Sequence, residues 1–273
     1  MIINSSIKNY ILINFYLLFI GYLQYLYLSN YNSYFYIFIG FLLRNIIMER
    51  SLNYMLSNKE YIDPKYNRCD IINKNYYSII FYFISSTLVE TLTNIIIYKF
   101  YIFKPNYFIW DLIMFIPISF VYEIIFDLFH YVVHRLEHTN SFLYKYIHKV
   151  HHTYSHPTTE LTYYHHPVDL ILSNIFPQCL TLILLPKISP FTHNLIIVYK
   201  IFIEISGHCG KNINSCSFPQ FVWLPKLFKI EMYAEDHDAH HRFNNCNYSK
   251  RFILWDKLFL TYKKTYSSEK FNK

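Results

Sequence analysis

The residues best suited to chemistry are histidines. Of 14 in the chain, eight fall into three short clusters: His130 and His134; His148, His151 and His152; His237, His240 and His241. In a helix, positions i, i+3 and i+4 share a face. Each cluster is therefore expected to present its imidazoles on one side of a short helix. Neutral imidazole is the commonest protein metal ligand and suits iron, zinc, copper and nickel. A lone histidine on an apolar face is more often a core residue with a satisfied hydrogen bond, and a cluster can be a solvated patch or a pH sensor. Three clusters at helical spacing, two of them with the pattern H-x-x-H-H, favour metal binding. Eight imidazoles exceed the needs of one ion, so the pattern points to two metals held by helices from separate parts of the chain.

The elements that must position these clusters are apolar. The chain has 273 residues, 53% of them hydrophobic and 21% aromatic, and only 16% charged, against the ~25% of an ordinary soluble domain. No charge interrupts it between Lys8 and Arg44. A membrane span needs about 20 mostly apolar residues, so residues 9–29 and 33–50 are expected to form a hairpin of two apolar helices, retained as an anchor. Arg44, Glu49 and Arg50 are expected at its interface. Residues 51–76 are polar and are expected to be a loop. Residues 77–103 are expected to form a further apolar helix containing Glu90, a carboxylate at membrane depth and hence a candidate for function, the alternative being a place near a kink or interface. Residues 107–134 form another, with Pro117 a kink site. Its far end turns polar on one stripe through Glu123, Asp127, His130 and His134. Asp127, one turn before His130, is a candidate acceptor for the second ring N–H of a ligand histidine, the alternative being a salt bridge with Arg135 or another base. Asp238, inside the third cluster, is a second candidate of this kind. Residues 135–167 read as a histidine-dense cytosolic cap. Residues 168–186 and 190–206 are two short apolar segments, expected as a re-entrant or tilted pair or as helices in the interface.

The fold expected is thus all-α: a polytopic membrane bundle with a histidine-rich helical cap holding a dimetal site. Three parts are expected: N-terminal transmembrane helices over residues 1–106, a histidine-bearing domain over 107–262, and a basic tail over 263–273. The net charge is +7, and its basic residues gather in the last quarter. The positive-inside rule puts these on the cytosolic side, facing anionic lipid or an acidic redox partner rather than nucleic acid. Five cysteines, an odd number with no C-x-x-C, argue against a disulfide framework or a thiolate zinc site. Asn4 and Asn247 begin glycosylation sequons, and Asn247 is expected to stay unmodified on the cytosolic side.

The three clusters and their flanks resemble the fatty acid hydroxylase and sterol desaturase superfamily. Residues 143–152, Leu-Tyr-Lys-Tyr-Ile-His-Lys-Val-His-His, are similar to the second histidine box of its sterol 4-methyl oxidases. Tyr164-His165-His166-Pro167-Val168-Asp169, His208-Cys209-Gly210, Asn247-Tyr248 and Trp255-Asp256-Lys257-Leu258-Phe259 resemble further segments of that branch. The resemblance spans about residues 107–262. One departure is Phe259-Leu260-Thr261, where the family has Phe-Gly-Thr; others are the Asn-rich residues 211–215 and the extra His165.

This resemblance implies a membrane-bound, non-haem di-iron oxygenase with a cytosolic metal site, which uses O₂ to hydroxylate, oxidise or desaturate a C–H bond of a sterol or fatty acyl lipid. It implies His130, His134, His148, His151, His152, His237, His240 and His241 as iron ligands, His208 as a ninth and His166 as a weaker tenth. It implies electrons from NAD(P)H through a reductase and a b-type cytochrome, in an endoplasmic-reticulum-type membrane. A zinc hydrolase fits poorly, because such sites use three protein ligands and no H-E-x-x-H occurs. A metal or proton transporter predicts ionisable residues at mid-membrane. A catalytically silent lipid-binding relative is the remaining alternative.

Overall fold

A computed structural model describes residues 7–31, 33–66, 68–213 and 216–264. The Asn4 sequon and residues 265–273 of the expected basic tail lie outside them. Among the described residues the fold is all-helical, with only isolated β-bridges besides. The long helices are α1 (Ile7–Asn30), α2 (Tyr34–Met55), α4 (Tyr76–Phe100), α5 (Phe108–Thr139) and α9 (Pro190–Gly207). Short helices are α3 (Arg68–Lys74), α6 (Ser141–Tyr146), α10 (Trp223–Leu227), α11 (Ala234–Phe243) and α12 (Leu254–Leu258). Two 3₁₀ turns, His148–Thr153 and Thr159–Tyr163, carry the middle of the cap. Helices α7 (Pro167–Leu170) and α8 (Phe176–Leu184) form one run through a π turn at Ile171–Ile175.

Among the described residues, four helical runs are long and apolar enough to cross a membrane: α1, α4, α5 and the α7–α8 run Pro167–Leu184. The α2 helix is as long but carries Arg44, Glu49 and Arg50. The sequence put these three at an interface; instead Arg44 and Glu49 are buried inside the bundle. Arg44 pairs with Glu90 of α4 at 2.6 Å and also bonds Asn45 and Gln24. Glu49 accepts the Thr159 hydroxyl at 2.9 Å. An ion pair taken from water must be completed by further hydrogen bonds, and Asn45 supplies one to Glu90. Glu90 is therefore used in helix packing. The expected loop 51–76 is likewise structured: α2 runs on to Met55 and α3 follows.

The two segments after the cap also differ from expectation. Pro167–Leu184 has the length of a span, whereas α9 is the hub. Fourteen of its residues are buried, among them Leu195, Ile196, Val198 and Ile205. It packs against α1, α2, α5 and α11. Ser189 caps its start by accepting the Thr192 N–H, with Pro190 in the first turn, as the missing N–H of proline allows. In lipid, helices associate through close packing and polar contacts more than through apolar burial. The α1–α9 seam shows this: a Cβ on Gly21 would lie 2.5 Å from Leu195 Cδ2, and Asn194 donates to the Gly21 carbonyl. A larger residue here would require the Leu195 side chain to shift.

At 32 residues, α5 is about 48 Å long, well beyond the ~30 Å hydrocarbon core. It runs through Pro117 and carries its histidines in the last third. The cap closes over that end.

Candidate metal centre

Three elements bring the histidines together: the end of α5, the 3₁₀ turn His148–Thr153 and α11. His208, just past the end of α9, adds a fourth. Their imidazoles form two groups, in each of which the ligand nitrogens lie within 4.8 Å of one another. Group one is His134, His138, His148, His152 and His240; group two is His151, His208, His237 and His241. The ring centroids of His152 and His241 lie 4.7 Å apart, so the groups adjoin.

The sequence put each H-x-x-H-H cluster on a single face. The structure divides both clusters between the groups. Adjacent residues on a helix point about 100° apart. Seen from His237, His241 lies roughly 40° to one side and His240 roughly 60° to the other, so His241 stays with His237 and His240 swings into group one. His151 and His152 part in the same way, with His152 bent to φ −86°, ψ 15°. Each doubled histidine thus contributes to both groups.

Outer contacts decide which nitrogen each ring offers. Nδ1–H of His134 donates to the Tyr248 carbonyl at 2.7 Å, and that of His148 to Asp169 Oδ1 at 2.9 Å. His240 donates to the Cys246 carbonyl at 2.7 Å, and His208 to the Glu204 carbonyl at 2.8 Å. With the proton held on Nδ1, Nε2 of each neutral ring carries a lone pair. Yet Nε2 of His134 and Nε2 of His148 lie 3.1 Å apart. Two lone pairs at that distance repel unless a cation lies between them. His208 Nε2 lies 3.1 Å from His237 Nε2 and 3.4 Å from His151 Nε2. His240 Nε2 lies 3.2 Å from His152 Nε2.

Protonation does not supply the cation. Burial, and then the neighbouring imidazoles, hold His151, His152, His237 and His241 well below the usual histidine range. Burial lowers His208 and His240 to about 3. At neutral pH these rings are uncharged ligands. An all-nitrogen donor set, buried except for the half-buried His138 and His152, with lone pairs converging at two adjacent points fits two divalent transition-metal ions.

Beyond the rings, Asp169 is shared: Oδ1 takes the His148 N–H, and Oδ2 takes His165 Nδ1–H at 3.0 Å. The His165 ring stacks on His151 at 4.0 Å between centroids. Asp169 thereby links the two groups. Glu137 also lies in this corner, grouped with His148 and Asp169 and fully buried.

Some expected residues lie elsewhere. His130 is in neither group; its Nδ1–H donates to the Ser173 carbonyl in the π turn at 2.6 Å, and its ring lies 4.9 Å from that of His134. Its buried Nε2 has no partner among the described residues, so it is preset as a donor beside group one. His166 accepts the Val168 N–H and caps α7. Asp127 accepts no ring N–H. Its oxygens take the backbone N–H groups of Lys250, Arg251 and Phe252 at 2.7–3.0 Å. Asp256 takes those of Tyr248 and Ser249, each at 2.8 Å. The two carboxylates clamp the loop whose Tyr248 carbonyl orients His134. Asp238 holds His156 at 2.9 Å rather than a clustered histidine.

His138 is the group-one residue that sequence reasoning missed. The signal was present: His130, His134 and His138 follow one stride of four. The expected departure at Phe259-Leu260-Thr261 is a turn with Leu260 at φ 57°, the left-handed conformation that glycine adopts freely.

Known proteins resemble the chain over its histidine-bearing half. The fatty acid hydroxylase family profile matches residues 119–261. C-4 methylsterol oxidase of Schizosaccharomyces pombe is 35% identical over 136 residues, covering 50% of this chain and 43% of the relative. Sphinganine C4-monooxygenase 1 of Arabidopsis thaliana is 31% identical over 153 residues, 54% of each chain. A fatty acid hydroxylase of a Lecanicillium species is 32% identical over 148 residues, 52% of this chain and 40% of the relative. The matches span about half the length of these relatives. No solved structure matches.

Proposed function

Because the chain belongs to the fatty acid hydroxylase family, we propose that it is an O₂-dependent lipid oxygenase whose two histidine groups each hold an iron ion. The observation that carries this is the pair of adjacent nitrogen groups, with the Nε2 lone pairs of His134 and His148 facing each other at 3.1 Å. It is an integral membrane protein with four helices able to span, and the groups lie where α5 ends and the cap begins.

The ligands proposed are His134, His138, His148 and His152 with His240 for one ion, and His151, His208, His237 and His241 for the other. His130 is a further donor beside the first. Iron bound there supplies the redox chemistry by which O₂ attacks an unactivated C–H bond. The chain's own residues do the rest. The carbonyls of Tyr248, Cys246 and Glu204, with Asp169, fix which nitrogen faces inward. Burial of group two and of most of group one limits access of water and so suppresses side reactions. Tyr248 is held in turn by Asp256, and the residues after it by Asp127.

Substrates in the class of sterols or long-chain acyl lipids are proposed, the sterol type favoured by the flanks of the second cluster. Hydroxylation, methyl oxidation and desaturation all remain within the proposal. Electrons from NAD(P)H through a reductase and a b-type cytochrome, and an endoplasmic-reticulum-type membrane with the histidines facing the cytosol, belong to the same proposal. The test is incubation of the iron-loaded protein with membrane lipids, reductant and ¹⁸O₂. Lipids that gain heavy oxygen, or newly desaturated lipids formed only with O₂, support it. Full metal loading without any O₂-dependent product leaves the lipid-binding relative as the better account.

A further inference from the structure

Residues 218–230 lie between α9 and α11, outside the four helical runs able to span. Their packing nevertheless puts them at membrane depth. Phe218, Ile230 and Phe252 cluster with Ile116, Phe120 and Ile124 of α5. The Phe228 ring stacks on that of Phe120 at 6.0 Å between centroids. On the other side, the Trp223 ring lies 4.9 Å from that of Tyr10 in α1. Tyr10 and Asn14 donate to the carbonyls of Gln220 and Pro219 at 2.8 and 2.9 Å.

Two helices measure that depth. The end of the bundle away from the cap carries exposed Tyr107 and Trp110. Tyr22 and Tyr25 join them, their rings edge-on to Phe108 at 5.7 and 6.2 Å. Aromatic belts of this kind mark a membrane–water boundary. Phe120 and Ile124 stand about 18 and 24 Å along α5 from Phe108. Tyr10 stands about 22 Å along α1 from Tyr25. Both helices place the segment within a hydrocarbon core of about 30 Å, roughly 6–12 Å short of the cap-side boundary. Helix tilt only lowers these heights. At 13 residues the segment is too short to span, so it dips into one leaflet and returns.

Its outward face suits that place. Trp223, Leu227 and Phe228 are 38%, 75% and 57% exposed. Lys226 and Lys229 are exposed among them, and Lys257 Nζ donates to the Lys229 carbonyl at 2.7 Å. Lys229 is held at φ 55°, a left-handed conformation unfavourable to a residue with a Cβ. In residues 218–233 the one carboxylate is that of Glu231, which is half-buried. Large apolar side chains interleaved with lysines are the pattern of a segment lying in the interface. A lysine rooted this deep runs its stem up to the headgroup layer, where lipid phosphates meet it. A soluble acidic protein does not reach such a depth.

We propose that residues 218–230 are embedded in the cap-side leaflet and, through Lys226, Lys229 and Lys257, bind the headgroups of acidic phospholipids. The inference is independent of the oxygenase reading and of the metals, since neither the packing nor the test involves turnover.

The test uses the full-length protein in phosphatidylcholine nanodiscs and the fluorescence of Trp223, taken as the difference between the unaltered protein and Trp223→Phe. Trp223 is expected to be quenched by lipids brominated on the acyl chain and shielded from aqueous iodide. Quenching by iodide and not by brominated lipid would put the face in water, open to an acidic protein. Shielding from both would mean that a second copy of the chain covers it. Either result overturns the proposal. The headgroup preference is then read by adding a minor fraction of brominated phosphatidylserine or, in parallel, brominated phosphatidylcholine. Phosphatidylserine is expected to be favoured at the Trp223 site by at least about fivefold, the effect of one lysine near the membrane surface. Lys226→Gln combined with Lys229→Gln should bring that ratio close to one. Trp110, read in the same way against Trp110→Phe, lies at the opposite boundary and should show no such preference. Equal quenching of Trp223 by the two lipids, or a preference that survives in the double variant, overturns the headgroup assignment. If the double variant does not accumulate, the ratio on the unaltered protein decides alone.

Discussion

Asp169→Asn isolates the contacts that orient the ligands. The carboxylate accepts two ring N–H groups, His148 at 2.9 Å and His165 at 3.0 Å. An asparagine of the same size offers one oxygen and one NH₂. Whichever ring meets the NH₂ then faces donor against donor. If that ring is His148, it relieves the clash by moving its proton to Nε2, and the lone pair facing His134 is lost. If it is His165, the ring stacked on His151 turns instead. Outer-sphere changes of this kind typically cost about 10–100-fold in metal affinity. Group two keeps four rings, none of which bonds Asp169 directly. The expected outcome is therefore selective: one site weakened by about 10–100-fold, the other near its original affinity. The assay is anaerobic iron titration of purified apo-protein, alongside thermal melting to show that the fold persists. Two sites of unchanged affinity would refute the claim that Asp169 sets the ligand tautomer.

Three further outcomes follow. His208 and His240 titrate near 3 when folded against ~6.5 unfolded, so the unfolded chain binds more protons between those values. The metal-free protein should keep its full stability above about pH 6.5 and lose it progressively as the pH falls toward 3, read as a falling Tm. Arg44→Met should destabilise by up to about 3 kcal/mol by leaving the partly buried Glu90 without its charged partner, and adding Glu90→Gln should recover much of that loss; a double-mutant cycle in denaturant measures both. Leu260→Gly should stabilise by roughly 1 kcal/mol, since Leu260 is held at φ 57° and is almost fully exposed; an unchanged Tm would show that the turn carries no strain.

The sequence made much of the site legible because metal ligation leaves a local imprint. Imidazoles must recur at three- and four-residue intervals, and they do. Seven of the nine grouped histidines were visible this way; His208 came from the family resemblance, and His138 was missed. The division of His151 from His152 and of His240 from His241 was not, because spacing says which side chains share a helix face but not where two centres lie relative to it. His130 and His166 show the same limit. Both have the right spacing or flank, and the π turn and the start of α7 take up their Nδ1 atoms. Asp127 was legible as a buried carboxylate on the ligand stripe, but its partners lie more than 120 residues away on a loop that only tertiary structure brings near. Of the bundle, the long apolar runs were evident. The role of α9 as hub was hidden, because a helix buried in protein and one buried in lipid have similar compositions.

The most direct test of the account is iron content per chain after anaerobic purification in mild detergent, for the unaltered protein and for His151→Ala and His152→Ala separately. The account predicts about two irons in the unaltered protein and about one in each variant, because the adjacent histidines belong to different groups. No metal in intact protein, or a single iron lost equally in both variants, would contradict it.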